Sequence, residues 1–241
     1  LLVVTDLTVA DLARLEGVPS AMASARDGID VLLRDRGLRR TPADATADSL
    51  LKGAYASAVL ADSVSSWEDV DAGRGDETAQ AALRISTELL ALVPTLKRSP
   101  LQAFARIHAL AAVDAPELAG RPAGPEAAQR LQELGRLLLA RGDVPALVLA
   151  AVAHAEFATG GFFASHNTLV ARAVERLVLV ATGVDEKSLI VPEAGHLAHR
   201  AAYESNLRGW AAGSRNGRHS WLLYAAEAYA AGAEASPLKQ G

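Results

Sequence analysis

Six histidines are the residues best suited to chemistry near neutral pH, because imidazole changes charge there. His154 lies in an apolar run, where a satisfied core histidine and a catalytic one are both open readings. His166 follows the Gly160-Gly161 pair and two phenylalanines, just before a new apolar segment. His196 and His199 are three apart, with Glu193 one turn earlier, a spacing that lets side chains meet on a helix. An H-x-x-H pair alone does not specify a metal site; a plain helix surface is the stronger reading, and no metal site is expected. No H-E-x-x-H, phosphate-binding P-loop or dinucleotide glycine pattern is present.

Helices must position these groups. Ala and Leu, both helix formers, dominate, and β-branched alternation is scarce. Thr8 or Asp6 caps a short first helix, and Pro19 opens a second that runs to about Arg36 and stops at Gly37. The basic run 33–40 reads as a solvated helix end. Further helices are expected over about 46–60, 76–93 (ended by Pro94), 100–113, 125–141, 145–158, 167–182, 193–212 and 220–231. The segment 62–76, with Gly73 and Gly75, reads as a flexible connection across which Trp67 packs back. Helix 145–158 is apolar on nearly every side and 167–182 is almost as apolar, so both should be central. The expected fold is all-α and single-domain over 1–241, with 1–40 as a helical extension and 232–241 as a frayed tail.

The chain of 241 residues is 50% hydrophobic and carries a formal net charge of -4, which suits one packed domain and speaks against a nucleic-acid surface. It has no cysteine, so disulfides and thiolate-bound metals are excluded. No apolar run approaches the roughly 20 residues of a membrane span, and the first residues lack the basic region of a signal peptide, so a cytoplasmic location is expected. Apolar faces on 76–93 and 125–141 serve either the core or a homodimer.

Between 159 and 168, two glycines lead into a helix N-terminus, which offers unpaired N–H groups to an anion. A tight interhelical turn holding two core phenylalanines is the alternative. The order His154, Phe157, then 161–172 (GFFASHNTLVAR) resembles the central motif of the Fic/Doc family, whose pattern is H-P-F-x-D/E-G-N-G-R-x-x-R. Phe163, Asn167 and Arg172 match that motif, and His154 and Phe157 match the helix leading into it. Gly120-Arg121-Pro122 falls where such proteins carry a Gly-Arg loop, and 183–210 resembles the C-terminal part of an actinobacterial subgroup. Ser57, Ala61 and Asp62 weakly match the family's inhibitory S/T-x-x-x-E-G/N motif.

The resemblance implies an all-helical protein that transfers AMP from ATP, with Mg²⁺, to a hydroxyl of a target protein. The departures argue against that chemistry here. The motif histidine, the family's general base, is Gly161; its cradle glycines are His166 and Thr168; its first arginine is Leu169; its acidic Mg²⁺ ligand is Ser165; and its inhibitory glutamate is Ala61. A degenerate protein acting through a protein partner, with no cofactor, is the first expectation. The alternative is a transferase using ATP and Mg²⁺, with His166 or His154 as base and a phosphate held by the remnant Phe163, Asn167, Thr168 and Arg172.

Overall fold

The computed structural model describes residues 3–4, 7–34, 44–140 and 142–239. The expected stop at Gly37, Asp6 as a cap, and the basic run from 35 to 40 lie outside the described residues.

The chain opens on a two-stranded antiparallel ribbon, β1 (Val3–Val4) and β2 (Leu7–Thr8), in the register Val3 to Thr8, so the expected helical extension does not begin as helix. Helix α1 (Val9–Leu12) starts at Thr8, whose side chain accepts from the Asp11 N–H. Helix α2 (Val18–Leu32) carries Pro19 in its first turn and buries Val18, Met22, Ala25, Ile29 and Leu32. Then follow α3 (Ala45–Leu60), α4 (Trp67–Asp71) and α5 (Glu77–Glu88). The connection 62–76 thus contains a helical turn, capped by Ser66, and Trp67 meets Tyr55 edge-on at 5.5 Å. Pro94 does not end the next segment. The chain tightens through Leu89–Leu92 and restarts as α6 (Val93–Arg98), with Pro94 in its first turn, where a missing N–H costs nothing.

Helices α7 (Pro100–Ala111) and α8 (Pro125–Leu139) precede the central pair, α9 (Ala146–Gly160) and α10 (Asn167–Ala181). Every residue of α9 from Leu147 to Phe157 is buried, as is every residue of α10 from Leu169 to Val180. The expected helix 193–212 is two, α11 (Pro192–Ala198) and α12 (Arg200–Ala211), broken at His199. The last helix, α13 (Arg215–Glu234), is longer than expected. Residues 232–239 are not frayed: α13 continues to Glu234, and a turn at Pro237–Lys239 buries Leu238.

One apolar cluster runs from Val9 to Leu238 and includes α2, which packs on α13. Ala82 and Ile85 of α5, and Leu131 and Leu134 of α8, are buried within it, so those faces serve this chain's own core. Among the described residues, no helix is long and apolar enough to cross a membrane.

Candidate functional site

Helix α9 ends on Gly161 in a left-handed conformation (φ 58°), exposed and with open space around it. The next two residues turn inward. Phe162 meets Phe157 edge-on at 4.9 Å, and Phe163 stacks flat on His108 at 4.2 Å. Asn167 locks this turn. The Phe163 N–H donates to its Oδ1 (2.9 Å), and its Nδ2 donates to the Phe163 carbonyl (2.7 Å). Both ends of the Asn167 amide are therefore engaged within the loop.

His166 precedes α10 with φ 57°, a backbone region that suits glycine better than histidine. Its Nδ1 pairs with Ser165 Oγ at 2.8 Å. His108 lies beneath, fully buried. It accepts from the Gly120 N–H at Nδ1, and burial, with His166 beside it, pulls its pKa down to about 4. Its Nε2 faces the Ser165 backbone without a well-formed hydrogen bond.

Three charged residues recur on the inner face of α10 at 172, 175 and 176. Arg172 is 1% exposed. Its Nε donates to Ser57 Oγ (2.8 Å), its Nη2 to the Ser57 carbonyl (2.9 Å) and its Nη1 to Tyr203 Oη (3.1 Å). The Ser57 carbonyl lies in the last turn of α3, where it also accepts from the Ala61 N–H (3.2 Å), so the arginine takes its second lone pair. Ser57 is thus brought to Arg172, but Asp62 is not. Asp62 is exposed at φ 62° and pairs with Arg200 at 2.5 Å, while Ala61 caps α3 through its backbone. Leu169 is buried and, with Gly53, Ala54 and Ser57, lines a cavity of about 10 Å³, room for about one water.

Beyond Tyr203 lies a second buried set. Tyr203 Oη meets His154 Nε2 (3.0 Å), and His154 Nδ1 meets Glu175 Oε2 (2.8 Å). The same carboxylate oxygen meets His196 Nε2 (3.0 Å), and His196 Nδ1 meets Tyr224 Oη (2.9 Å). Tyr229 donates to Glu175 Oε1 (2.9 Å). The protons can be assigned from this network without remainder. Both histidines donate to an ionised Glu175 and accept from tyrosine hydroxyls, and Tyr203 in turn accepts from Arg172. Burial holds His154 at about 4, with His196 and Arg172 adding to the effect, so it is neutral at pH 7. Burial would raise Glu175, but the two histidines outweigh it and hold its carboxyl well below the usual range. Burial raises all three tyrosines.

His154, Glu175 and His196 present three ligand atoms within 4.8 Å of one another, a donor set that matches zinc chemistry. Bringing an ion in would strip both N–H groups from Glu175 and leave Tyr203 facing two donors. The hydrogen-bond count is complete without it. The cation that accompanies nucleotide transfer fits poorly at the loop, since Ser165 stands where a carboxylate is needed and its hydroxyl is held by His166.

Glu193, His196 and His199 do not meet as a ligand set. Glu193 pairs with Arg176 (3.0 Å), His196 joins Glu175, and His199 is exposed where the helix breaks. Arg176 also donates to Ser188 Oγ (2.7 Å), the Ile190 carbonyl (2.9 Å) and Ser49, and a side chain on Gly53 would strike it. Glu175, Arg176, Tyr224 and Tyr229 are absent from the sequence-based site. For the two charged residues a signal was present: charges at 172, 175 and 176 interrupt an apolar helix and must find buried partners.

Among solved structures, the chain is similar to a Fic family protein from Desulfovibrio desulfuricans G20, with a TM-score of 0.71 at 15% identity, covering 89% of this chain and 73% of that one. The likeness is one of fold, and the fold is an all-α, Fic-like helical domain. No protein-family model and no curated protein matches the sequence.

Proposed function

We propose that this chain is a degenerate Fic-like module that has given up AMP transfer and acts in the cytoplasm by binding a protein partner. The observation that carries the first part is Arg172. Each of the three nitrogens of its guanidinium donates to Ser57 or Tyr203 and the side chain is closed to solvent, so the one motif arginine left in register is held inside the fold rather than presented to a triphosphate. Leu169 fills the neighbouring position, Asn167 is spent on the loop backbone, and Gly161 supplies no base. His154 sits in a sealed network in which both ring nitrogens are engaged, an arrangement that suits scaffold better than proton transfer. A fold emptied of its reaction keeps a surface, and partner binding is the use that needs nothing more.

Labelled AMP transfer to lysate proteins tests this. Wild-type protein is expected to transfer none, and Gly161→His is expected to restore none, because Leu169 and the engaged Arg172 remain. Transfer by the wild type that His166→Ala abolishes would overturn the proposal.

One observation favours the second reading, a rebuilt nucleotide-dependent transferase using ATP and Mg²⁺. The His108 Nε2–H is buried beside His166 at the start of α10 without a good partner, and a phosphate there would supply one. That reading requires His166 to act as base. The same assay separates the two.

A further inference from the structure

The corner between α12 and α13 reads GWAAGSRNGR over 209–218. Gly209 and Gly217 let the two helices meet backbone to backbone, since a side chain on Gly217 would strike the Gly209 carbonyl. Gly213 turns the chain at φ 75°, and Ser214 caps the 20-residue α13 by accepting from the Gly217 N–H at 3.0 Å. Arg218, in the next turn, folds back over the Trp210 ring at 5.3 Å, which places its guanidinium beside Gly213 and the opening of α13.

Arg218 is 6% exposed, and its Nε and Nη1 are buried with no hydrogen-bond partner. Stacking on Trp210 engages the flat face of a guanidinium and leaves its edge N–H groups unanswered. Glu156, the acid that acts on it through space, is already committed: Oε1 accepts from Trp210 Nε1 (3.0 Å) and Oε2 from Arg130 Nη2 (3.0 Å). Two arginines therefore share one carboxylate, and one positive charge is left over. Arg208 and Arg215 are exposed at the same corner, and among the described residues neither has an ion pair. No Asp or Glu occurs between Glu204 and Glu227. In a chain of net charge -4, this corner concentrates positive charge.

We propose that this corner is an oxyanion site, taking a phosphate or carboxylate group between the Arg218 guanidinium and the first turn of α13, with Arg208 and Arg215 drawing the anion in. A helix N-terminus and an unanswered buried guanidinium converge on the same place, and an oxyanion completes both. The site is independent of the loop at 161–172 and shares no residue with it.

Calorimetry and thermal denaturation of the full chain, titrated separately with inorganic phosphate and with acetate at fixed ionic strength, test this. The wild type is expected to bind at least one of them saturably and to melt at a higher temperature when it does. The tighter-bound ion identifies phosphate or carboxylate as the natural group. Arg218→Met is expected to fold, to melt no lower than the wild type without anion, and to lose at least tenfold in affinity. Arg215→Gln, at an exposed position, is expected to weaken binding about threefold. The absence of saturable binding by the wild type would overturn the proposal, as would affinity unchanged in Arg218→Met or in Arg215→Gln. Loss of folding in Arg218→Met would assign the residue a purely structural role and would also overturn it.

Discussion

Arg172 and Arg218 are both buried, yet their surroundings differ in one respect. Arg172 sits where α3, α10 and α12 meet, and every nitrogen of its guanidinium has an acceptor. Arg218 sits at the α12–α13 corner with two nitrogens unanswered. A buried cation without acceptors is costly, whereas one with a full set of acceptors is a rigid part of the interior. The comparison teaches that family register and availability are separate matters. The arginine that matches the motif is consumed by the fold, and an arginine outside the motif is left with bonding capacity.

The largest way to break this contrast is at Glu175, which takes three donors onto one carboxylate. Glu175→Ala leaves two imidazole N–H groups and a tyrosine hydroxyl stranded, and should cost about 3–5 kcal/mol. Urea denaturation measures it, and a loss below about 1 kcal/mol would show that the network is not closed as described.

Acid is the next lever. His154 is held at about 4 against an ordinary 6.5, with burial the main cause, so the unfolded chain takes up the proton more readily than the folded one. Its contribution is fully present above about pH 6.5 and is lost as pH falls from there through about 4, on the order of 3 kcal/mol. His108, lowered to about the same value, acts in the same direction. Urea midpoints should fall steadily from pH 7 to pH 4, and His154→Gln should flatten part of that slope. A flat profile over this range would contradict the neutral, buried assignment.

The smallest effect is expected at Ser57. Ser57→Ala removes the acceptor for Arg172 Nε while the backbone carbonyl still holds Nη2, so stability should drop by about 1–3 kcal/mol with the fold kept. The freed N–H sharpens the comparison, because Arg172 then approaches the state of Arg218.

Much of this fold is legible in the sequence because helices announce themselves locally. The apolar run 145–158 and its neighbour 167–182 become the two central helices, and Thr8, Pro19, Asp76 and Pro125 stand at helix starts as expected. Boundaries set by tertiary packing are not legible. Nothing local announces the break at His199, and Leu238 is held by its burial rather than by its own propensity. The loop was legible through its order of residues, which pointed to Phe163, Asn167 and Arg172. What those residues bind was not, because the partners Ser57, Tyr203 and His108 come from other elements. Helical spacing alone suggested that His196 and His199 meet, and the helix break separates them.

The central claim is that the cleft left by the motif cannot hold a nucleotide, and calorimetric titration of the wild-type chain with Mg²⁺ and ATP addresses it most directly. The account predicts no saturable heat up to millimolar ATP, and the same silence from Ser57→Ala, since Leu169 still fills the cleft. Saturable binding in the micromolar range that Arg172→Ala abolishes would contradict it.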